Sequence, residues 1–246
     1  MTDLIITKEN QGVFTIILNR VDKKNAINNV MYKELGQYFN YAKHNDNIHC
    51  VLIHGDSTCF CAGNDLQDFI ECSQGDSLAA LDFLKILNTF NKPIVAAVAG
   101  PAVGIGATLL LHCDMVIAAN NTKFKLPFTQ LGLCPEGGST LLLTRLIGQN
   151  RAFELMILGD TFTAEQAKEY GIANQVCQPN ELLSIAEKTA TTIAALPSDA
   201  VITGRKLIRQ ATQLSLSQVI ESEGKEFARL VKTDTCKAIM SRFFKK

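Results

Sequence analysis

Apolar runs and helical stretches alternate along the first part of the chain. Two β-branched runs, Leu4–Thr7 and Val13–Leu18, flank the turn-forming residues Asn10–Gly12 and predict a β-hairpin. Residues 30–46 then carry apolar side chains at helical spacing, and Cys50–His54 is a short apolar run that ends at a glycine. The predicted order is therefore strand, strand, helix and buried strand.

The same alternation continues through the middle of the chain. Residues 77–90 place four leucines on one helical stripe, with Ser77 as the N-cap, and the strand Ile94–Val98 follows. A second helix, Ala107–His112, leads into another apolar strand, Asp114–Ala119. Because apolar strands alternate with helices, the pattern favours a layered α/β fold over a helical bundle or a β-sandwich.

Strands become scarce from Thr163 onward, and helical spacing replaces them. Helical periodicity covers five segments, at 163–170, 181–195, 198–212, 215–231 and 233–244. We therefore expect residues 1–195 to form the α/β core and residues 196–246 to form a helical subdomain.

Composition narrows the class of protein. The chain has 246 residues, 47% of them hydrophobic, which suffices for one α/β domain with a large core. Its 24 basic residues balance 24 acidic ones, there is no Trp, and no block of like charge occurs. We therefore expect neither nucleic acids nor membrane surfaces as partners. The apolar stretch at 93–119 is too interrupted by glycines and polar residues to predict a bilayer span.

The cysteines and histidines do not form a metal-binding pattern. The chain has eight Cys and four His, and Cys59 and Cys61 are the only close cysteine pair. No zinc-ligand spacing occurs, and several cysteines lie within apolar runs, where they act as small hydrophobic residues. We expect reduced thiols and no metal.

Two glycine-containing segments are candidates for binding chemistry. Cys61–Leu66 combines small residues with an Asn-Asp pair, a composition that a plain turn also explains. Gly100–Gly106 lies between a predicted strand and a predicted helix, where backbone N–H groups at the helix start can face an anionic oxygen. Its Gly-x-x-x-Gly-x-Gly spacing matches neither the Rossmann fingerprint nor the P-loop, so neither kind of phosphate binding is predicted.

A third segment, Leu131–Ser139, contains Glu136 between a proline and two glycines in apolar surroundings. Such a glutamate is either a turn or capping residue or a catalytic acid or base, and apolar neighbours would raise its pKa toward the useful range. No Ser/His/Asp or Cys/His spacing links Cys134, Ser139 or Thr140 to a base. For His112, within Leu-Leu-Leu-His-Cys-Asp, a buried hydrogen-bonded role is favoured over general base.

Taken together, these segments resemble the crotonase (enoyl-CoA hydratase/isomerase) superfamily, and most closely its peroxisomal-type Δ3,Δ2-enoyl-CoA isomerases. The resemblance covers nearly the whole chain, through 16–20, 23–28, 61–66, 99–106, 112–114, 132–138, 158–167 and 170–173. It implies a crotonase-like spiral of repeated ββα units with a C-terminal helical trimerisation region, assembled as a homotrimer or as a hexamer of two trimers. It also implies an acyl-CoA thioester as substrate, with coenzyme A carried by the substrate and no separate cofactor.

The resemblance assigns roles to particular residues. The backbone N–H groups of Ala62 and Ile105 would form an oxyanion hole for a thioester enolate. Acyl-CoA binding is implied for Lys24, Ala26, Gly63, Asn64, Asp65, Leu66, Gly104 and Phe128. Arg20, Lys23 or Lys24 would approach the CoA phosphates, although a solvated surface position is the alternative for each, and Asp65 is also a candidate helix cap.

Carboxylate placement separates the hydratase and isomerase chemistries of this family. The positions that match the two hydratase glutamates hold Thr108 and Phe128, so the hydratase interpretation is disfavoured. Glu136 matches the single catalytic glutamate of the isomerases. The resemblance therefore implies an enoyl-CoA isomerase of fatty-acid β-oxidation, in which Glu136 transfers the proton inside a pocket lined by Leu126, Phe128 and Leu133.

Two alternatives stay open: hydratase or other enolate chemistry, and a crotonase-like module that binds acyl-CoA or a protein without turnover. The N-terminal residues lack a secretory or transit pattern, and the C-terminal residues lack a peroxisomal address. A cytoplasmic location is the expectation.

Overall fold

The computed structural model describes residues 3–68 and 79–211, together with single positions between 218 and 236. Its strands are β1 Ile5–Asn10, β2 Val13–Leu18, β3 Cys50–His54, β4 Ile94–Val98, β5 Pro101–Val103, β6 Met115–Ala119, β7 Lys123–Lys125, β8 Phe162–Thr163 and β9 Gln175–Cys177. Its α-helices are α1 Asn29–His44, α2 Ala79–Thr89, α3 Ile105–Thr108, α4 Ser139–Ile147, α5 Gln149–Phe153, α6 Ala164–Glu169, α7 Leu182–Ala194 and α8 Ser198–Ala211. Shorter helical turns are 3₁₀ at Val21–Lys23, Leu109–His112 and Thr129–Leu131, and π at Glu154–Leu158.

A six-stranded sheet in the order β1-β2-β3-β4-β6-β9 forms the centre of the molecule. The β1–β2 hairpin is antiparallel and the remaining pairs are parallel. Every residue of β4 is buried, because both faces of the sheet are covered. The predicted hairpin and the predicted α/β class are confirmed.

Helix α7 covers one face of this sheet through small side chains. Ala186, Ala190 and Ala194 repeat every four residues and are buried against alternate sheet residues such as Leu52 and Val95. The residues between those sheet positions, including Ile53 and Ala96, belong to the larger core on the other face. The period of two in each strand therefore divides the core into two layers.

A second sheet, in the order β5-β7-β8, stands beside the first. Strand β5 pairs in parallel with β7, and an isolated parallel bridge joins Ala102 to Cys61. The β5 strand was not predicted, nor were β7, β8 and β9, because they have only two or three residues and show no alternation over that length. These short strands place the two glycine-containing segments side by side.

Helix boundaries differ modestly from those predicted. The helix after the glycine-rich segment begins at Ile105 rather than at Ala107 and tightens into a 3₁₀ turn at Leu109–His112. Helix α8 matches the predicted segment at 198–212. Ser77 and most of the segments 215–231 and 233–244 lie outside the described residues, and the division at residue 195 stays a prediction.

Within the described part of the chain, no helix is long and apolar enough to cross a membrane. The same residues contain no group of three or more His, Cys, Asp or Glu side chains arranged to hold a metal ion.

Candidate active site

A cleft of about 720 Å³ gathers most of the predicted binding residues. Its lining residues are Arg20, Lys23, Ala26, Ala62, Gly63, Asn64, Asp65, Leu66, Gln67, Asp68, Val103, Gly104, Pro127, Phe128, Leu131 and Leu133. Lys24, Ile105 and Glu136 are not among the lining residues in the described ranges. Lys24 and Ile105 each lie next to a lining residue in the chain, and Glu136 is three residues beyond Leu133.

Backbone hydrogen bonds join the 61–66 segment to the chain around Ala26. Ile27 N–H donates to the Gly63 carbonyl at 2.8 Å, and Asp65 N–H donates to the Ile27 carbonyl at 2.9 Å. Ala62 N–H donates to the Lys24 carbonyl at 3.0 Å. To stabilise a ligand oxygen, the Ala62 N–H must therefore either donate to the Lys24 carbonyl and the ligand at the same time or break its bond to the carbonyl.

Side chains reinforce this junction at one end of the cleft. Arg20 Nη1 donates to Asp65 Oδ2 at 2.6 Å and to the Ala26 carbonyl at 3.0 Å. This hydrogen bond from Arg20 lowers the pKa of Asp65. The other carboxylate oxygen, Oδ1, accepts from Gln67 N–H at 3.0 Å, as a helix cap does. The Asp65 side chain thus pairs with Arg20 and caps the following turn, which fits its alternative role as a helix cap.

The two glycine-containing segments touch through their backbones. Cys61 N–H donates to the Pro101 carbonyl at 3.1 Å, and Val103 N–H donates to the Cys61 carbonyl at 2.9 Å. A Cβ at Gly106 would lie 2.6 Å from the Cys61 carbonyl oxygen and 2.8 Å from its Cβ. Glycine is therefore required at 106 for α3 to approach the 61–66 segment this closely.

This contact brings the two predicted oxyanion donors into one region. Ile105 is the first residue of α3, where a backbone N–H has no partner within the helix. The preceding Gly104 N–H donates to the Lys125 carbonyl at 2.9 Å, which fixes the start of the helix. Ala62 follows Cys61 directly, so both donors flank the contact between Gly106 and Cys61.

Glu136 lies beside α3, half-buried. Thr108 Oγ1 donates to Glu136 Oε1 at 2.5 Å, and Thr108 itself is fully buried. Burial raises the pKa of Glu136, while the hydrogen bond from Thr108 lowers it by a smaller amount. A carboxylate with a raised pKa, held by one hydroxyl, is suited to accept and return a proton near neutral pH.

Three further groups hold the chain that follows Glu136. Ser139 Oγ donates to the Glu136 carbonyl at 2.6 Å, and Ser139 N–H donates to the same oxygen at 3.1 Å. His112 Nε2 lies 2.7 Å from the Gly137 carbonyl oxygen. The expected buried, hydrogen-bonded role of His112 is confirmed.

Part of the cleft wall is apolar. Phe128 and Leu133 line the cleft as expected, whereas Leu126 is buried behind it. Leu66 and Leu131 are more than half exposed at the cleft. Exposed leucines bordering a cleft offer a surface for an apolar chain.

One residue of the site, Tyr32, was not predicted. Its hydroxyl donates to Asn64 Oδ1, and the side chain is buried on α1. Burial raises the pKa of Tyr32 well above its usual value, and the charges of Cys61 and Glu136 raise it further. A polar hydroxyl on the apolar face of a helix was the available signal, and it is weak without the fold.

Comparisons with known proteins identify the family of this chain. The family model described as enoyl-CoA hydratase/isomerase matches residues 8–246. The 1,2-epoxyphenylacetyl-CoA isomerase of Escherichia coli is 35% identical over 91% of this chain and 87% of that protein. Human enoyl-CoA delta isomerase 2 is 32% identical over 89% of this chain and 57% of that protein. The crystal structure of an enoyl-CoA hydratase from Polaromonas sp. JS666 superposes with a TM-score of 0.90, at 28% identity, over 98% of this chain and 96% of that one.

Proposed function

This chain belongs to the enoyl-CoA hydratase/isomerase family, and from that premise we propose that it is a Δ3,Δ2-enoyl-CoA isomerase. The reaction shifts the double bond of a 3-enoyl-CoA to the 2-position. The thioester bond and the carbon skeleton of the acyl group stay intact, so the chemistry consists of two proton transfers. The observation that carries the proposal is Glu136, a half-buried carboxylate with a raised pKa beside α3.

Glu136 performs both transfers in this mechanism. Its carboxylate removes a proton from C2, and the electrons of the broken C–H bond delocalise onto the thioester oxygen through C1 and, through the C3=C4 double bond, onto C4. The same group, now a carboxylic acid, delivers the proton to C4, and the dienolate collapses to the 2-enoyl thioester. The apolar wall at Phe128 limits water near the acid, so the proton remains available for return.

The dienolate oxygen requires donors that are fixed before the reaction. The backbone N–H groups of Ala62 and Ile105 supply them, on the two sides of the contact that Gly106 permits. Each such donor contributes on the order of 3 kcal/mol to transition-state stabilisation. When the thioester binds, the Ala62 N–H donates to the thioester oxygen, either alongside its bond to the Lys24 carbonyl or in place of that bond.

The side chain at 108 argues against hydration of the double bond. Addition of water requires a second acid/base group to hold and activate the nucleophile. Thr108 is fully buried and uses its hydroxyl as a donor to Glu136, and Phe128 has no titratable group. Neither of the two positions at which hydratases of the family carry a glutamate holds a carboxylate in this chain, so hydration is disfavoured.

The remaining expectations belong to the same proposal. Arg20 and Lys23 line the cleft and supply positive charge for the CoA phosphates. We expect turnover without a separate cofactor, assembly as a homotrimer or hexamer, and a cytoplasmic location. The similarity to human enoyl-CoA delta isomerase 2 supports the isomerase assignment, and the similarity to an enoyl-CoA hydratase structure makes hydration the reaction to test against it.

The test is to incubate the purified protein with a 3-enoyl-CoA and, separately, with a 2-enoyl-CoA, and to identify the products by mass and by conjugated-thioester absorbance. We expect 2-enoyl-CoA from the first substrate and no gain of water by the second. Formation of a 3-hydroxyacyl-CoA at a comparable rate would make the protein a hydratase. Binding of both thioesters without turnover would make it a non-catalytic acyl-CoA binder.

A further inference from the structure

One face of the helical run 105–112 points at the loop that carries Glu136. Thr108 ends the α-helical part of this run and His112 ends its 3₁₀ part, and both side chains reach that loop. Thr108 contacts the Glu136 carboxylate, and His112 contacts the carbonyl of the next residue, Gly137. The run also begins at Ile105, one of the two proposed oxyanion donors. The run 105–112 therefore carries one proposed oxyanion donor and also contacts the proposed base.

The contact of His112 has a defined direction. Its Nε2 lies 2.7 Å from the Gly137 carbonyl oxygen, and a carbonyl oxygen only accepts hydrogen bonds. The Nε2 atom therefore carries the hydrogen and donates it. His112 is only 7% exposed, so its ring is held by packing as well as by this bond.

Burial and two nearby arginines favour the neutral form of the His112 ring. Arg209 Nη2 on α8 donates to the His112 backbone carbonyl at 2.5 Å, and Arg205 on the same helix pairs with Asp114 at 2.7 Å. Burial lowers the pKa of His112, the hydrogen bond to the Gly137 carbonyl opposes this shift, and the charges of Arg209 and Arg205 lower the pKa further. The lowered pKa favours the neutral ring, and Nε2 carries its hydrogen in the neutral and in the protonated form of this tautomer, so the bond to Gly137 does not depend on protonation.

Gly137 is a point where the loop needs such an anchor. Its φ is +66°, and a Cβ there would lie 2.9 Å from Thr108 Oγ1, so the position requires glycine. A glycine has no side chain that could hold it in place. Ser139 fixes the carbonyl of Glu136, whereas the peptide between Gly137 and Gly138 is fixed through His112. Rotation of that peptide would move the Glu136 carboxylate relative to Thr108.

We infer that His112 is a positioning residue for the proton transfer, holding Glu136 in place through the Gly137 carbonyl. This inference rests on the proposed function of Glu136 as the base. It goes beyond that proposal because His112 does not line the cleft in the described part of the chain and acts only through the loop.

The inference predicts a specific change in the pH profile. Loss of the anchor weakens the Thr108–Glu136 bond, and that bond lowers the pKa of Glu136. The acid limb of kcat/KM therefore moves to higher pH when the anchor is removed. The groups facing Glu136 are Thr108 from α3 and Tyr32 from α1, and those facing His112 are Arg205 and Arg209 from α8. None of them changes in the variants below.

The variants separate the hydrogen bond from the bulk of the ring. His112→Leu removes the donor, His112→Gln places an amide N–H near the position of Nε2, and His112→Asn has the same amide one carbon shorter. We expect His112→Leu and His112→Asn to lose about tenfold to a hundredfold in kcat, with KM nearly unchanged. His112→Gln should recover most of the loss and restore the acid limb.

His49→Leu is the matched control. His49 Nδ1 also contacts a backbone carbonyl, that of Ala194, at 2.9 Å, but at the end of α7. This variant removes a similar bond without touching the Glu136 loop. It should lower the unfolding midpoint while leaving kcat and the acid limb as in the wild type.

A measurement without substrate separates this inference from the proposed function. In protein labelled with carboxyl-¹³C glutamate, the Glu136 resonance is identified by its absence in Glu136→Gln and titrated in each His112 variant. The inference requires a higher pKa for Glu136 in His112→Leu and His112→Asn, reversed in His112→Gln. An unchanged titration in folded His112→Asn overturns it, even if the wild type is an isomerase. Failure of the wild type to isomerise overturns the proposed function and leaves the titration to decide the positioning role.

Discussion

The loop at Ala62 and the loop at Glu136 carry the two parts of the proposed site but are held in different ways. The Ala62 loop is joined to its neighbours by backbone hydrogen bonds on both sides, to Lys24 and Ile27 and to Pro101. The Glu136 loop is held largely by the side chains of Thr108, His112 and Ser139, together with one backbone bond from Ser139 N–H. The proposed oxyanion donors therefore depend on backbone approach, whereas the proposed base depends mainly on side-chain chemistry.

The difference follows from what each loop must supply. An oxyanion donor is a backbone N–H, and its position is fixed once the chain path is fixed. A general base needs a defined pKa as well as a position, and side-chain donors adjust both. Burial raises the pKa of Glu136 and the Thr108 hydroxyl opposes that rise, so a single hydroxyl tunes the base.

The largest effect is expected where the backbone approach is blocked. Gly106→Ala puts a methyl group 2.6 Å from the Cys61 carbonyl oxygen, so α3 must move away from the Ala62 loop. We expect kcat to fall about a hundredfold, as on loss of one oxyanion donor, and the free energy of unfolding to fall by about 1–3 kcal/mol. Steady-state kinetics and urea unfolding measure the two quantities.

Gly204→Ala is the control for this substitution. Gly204 lies within α8, and nothing is within 4 Å of the Cβ it would gain. Alanine there should raise the free energy of unfolding by about 0.5–1 kcal/mol, with kcat retained. Equal losses of activity in the two variants would contradict the importance of the approach at Gly106.

A smaller effect is expected where the side-chain support of the base is removed. Thr108→Val keeps the shape but deletes the hydroxyl that donates to Glu136. Because that bond lowers the pKa of Glu136, its loss raises the pKa further, and fewer molecules hold the ionised base at acidic pH. We expect kcat/KM below the acid limb to fall about tenfold and to approach the wild-type value at alkaline pH.

Thr108→Ser retains the hydroxyl and should keep the acid limb at the wild-type position. The measurement is kcat/KM for a 3-enoyl-CoA across the pH range over which each variant stays folded. A limb that is the same in Thr108→Val and Thr108→Ser would mean that the Thr108 bond does not tune the base. The claim that side chains set the pKa of Glu136 would then be wrong.

Much of the fold was predictable because long segments carry a clear period. The hairpin of β1 and β2, the helix α1 and the buried strand β4 all follow from alternation or from helical spacing over five or more residues. Strands β5, β7, β8 and β9 were missed because they are short and owe their pairing to distant segments. Ala102 of β5, for example, is bridged to Cys61, 41 positions earlier in the sequence.

The candidate site was predictable where its chemistry is local. The glycines at 104 and 106 and the carboxylate at 136 stand out in the sequence, and the structure brings their segments together. The engagement of Ala62 N–H by the Lys24 carbonyl was not predictable, because a backbone bond leaves no trace in residue type. Tyr32 was missed for a related reason, since its partner Asn64 is 32 residues away.

The most direct test of the central claim is the rate of 3-enoyl-CoA isomerisation by Glu136→Gln, measured beside Glu165→Gln. Glu165 is an exposed carboxylate at the start of α6 and serves as the control for loss of one negative charge. With a single base, Glu136→Gln should bind the thioester and lose at least about a hundredfold in kcat, while Glu165→Gln keeps the wild-type rate. Isomerisation by folded Glu136→Gln within a few-fold of the wild type would contradict the assignment of Glu136 as the proton carrier.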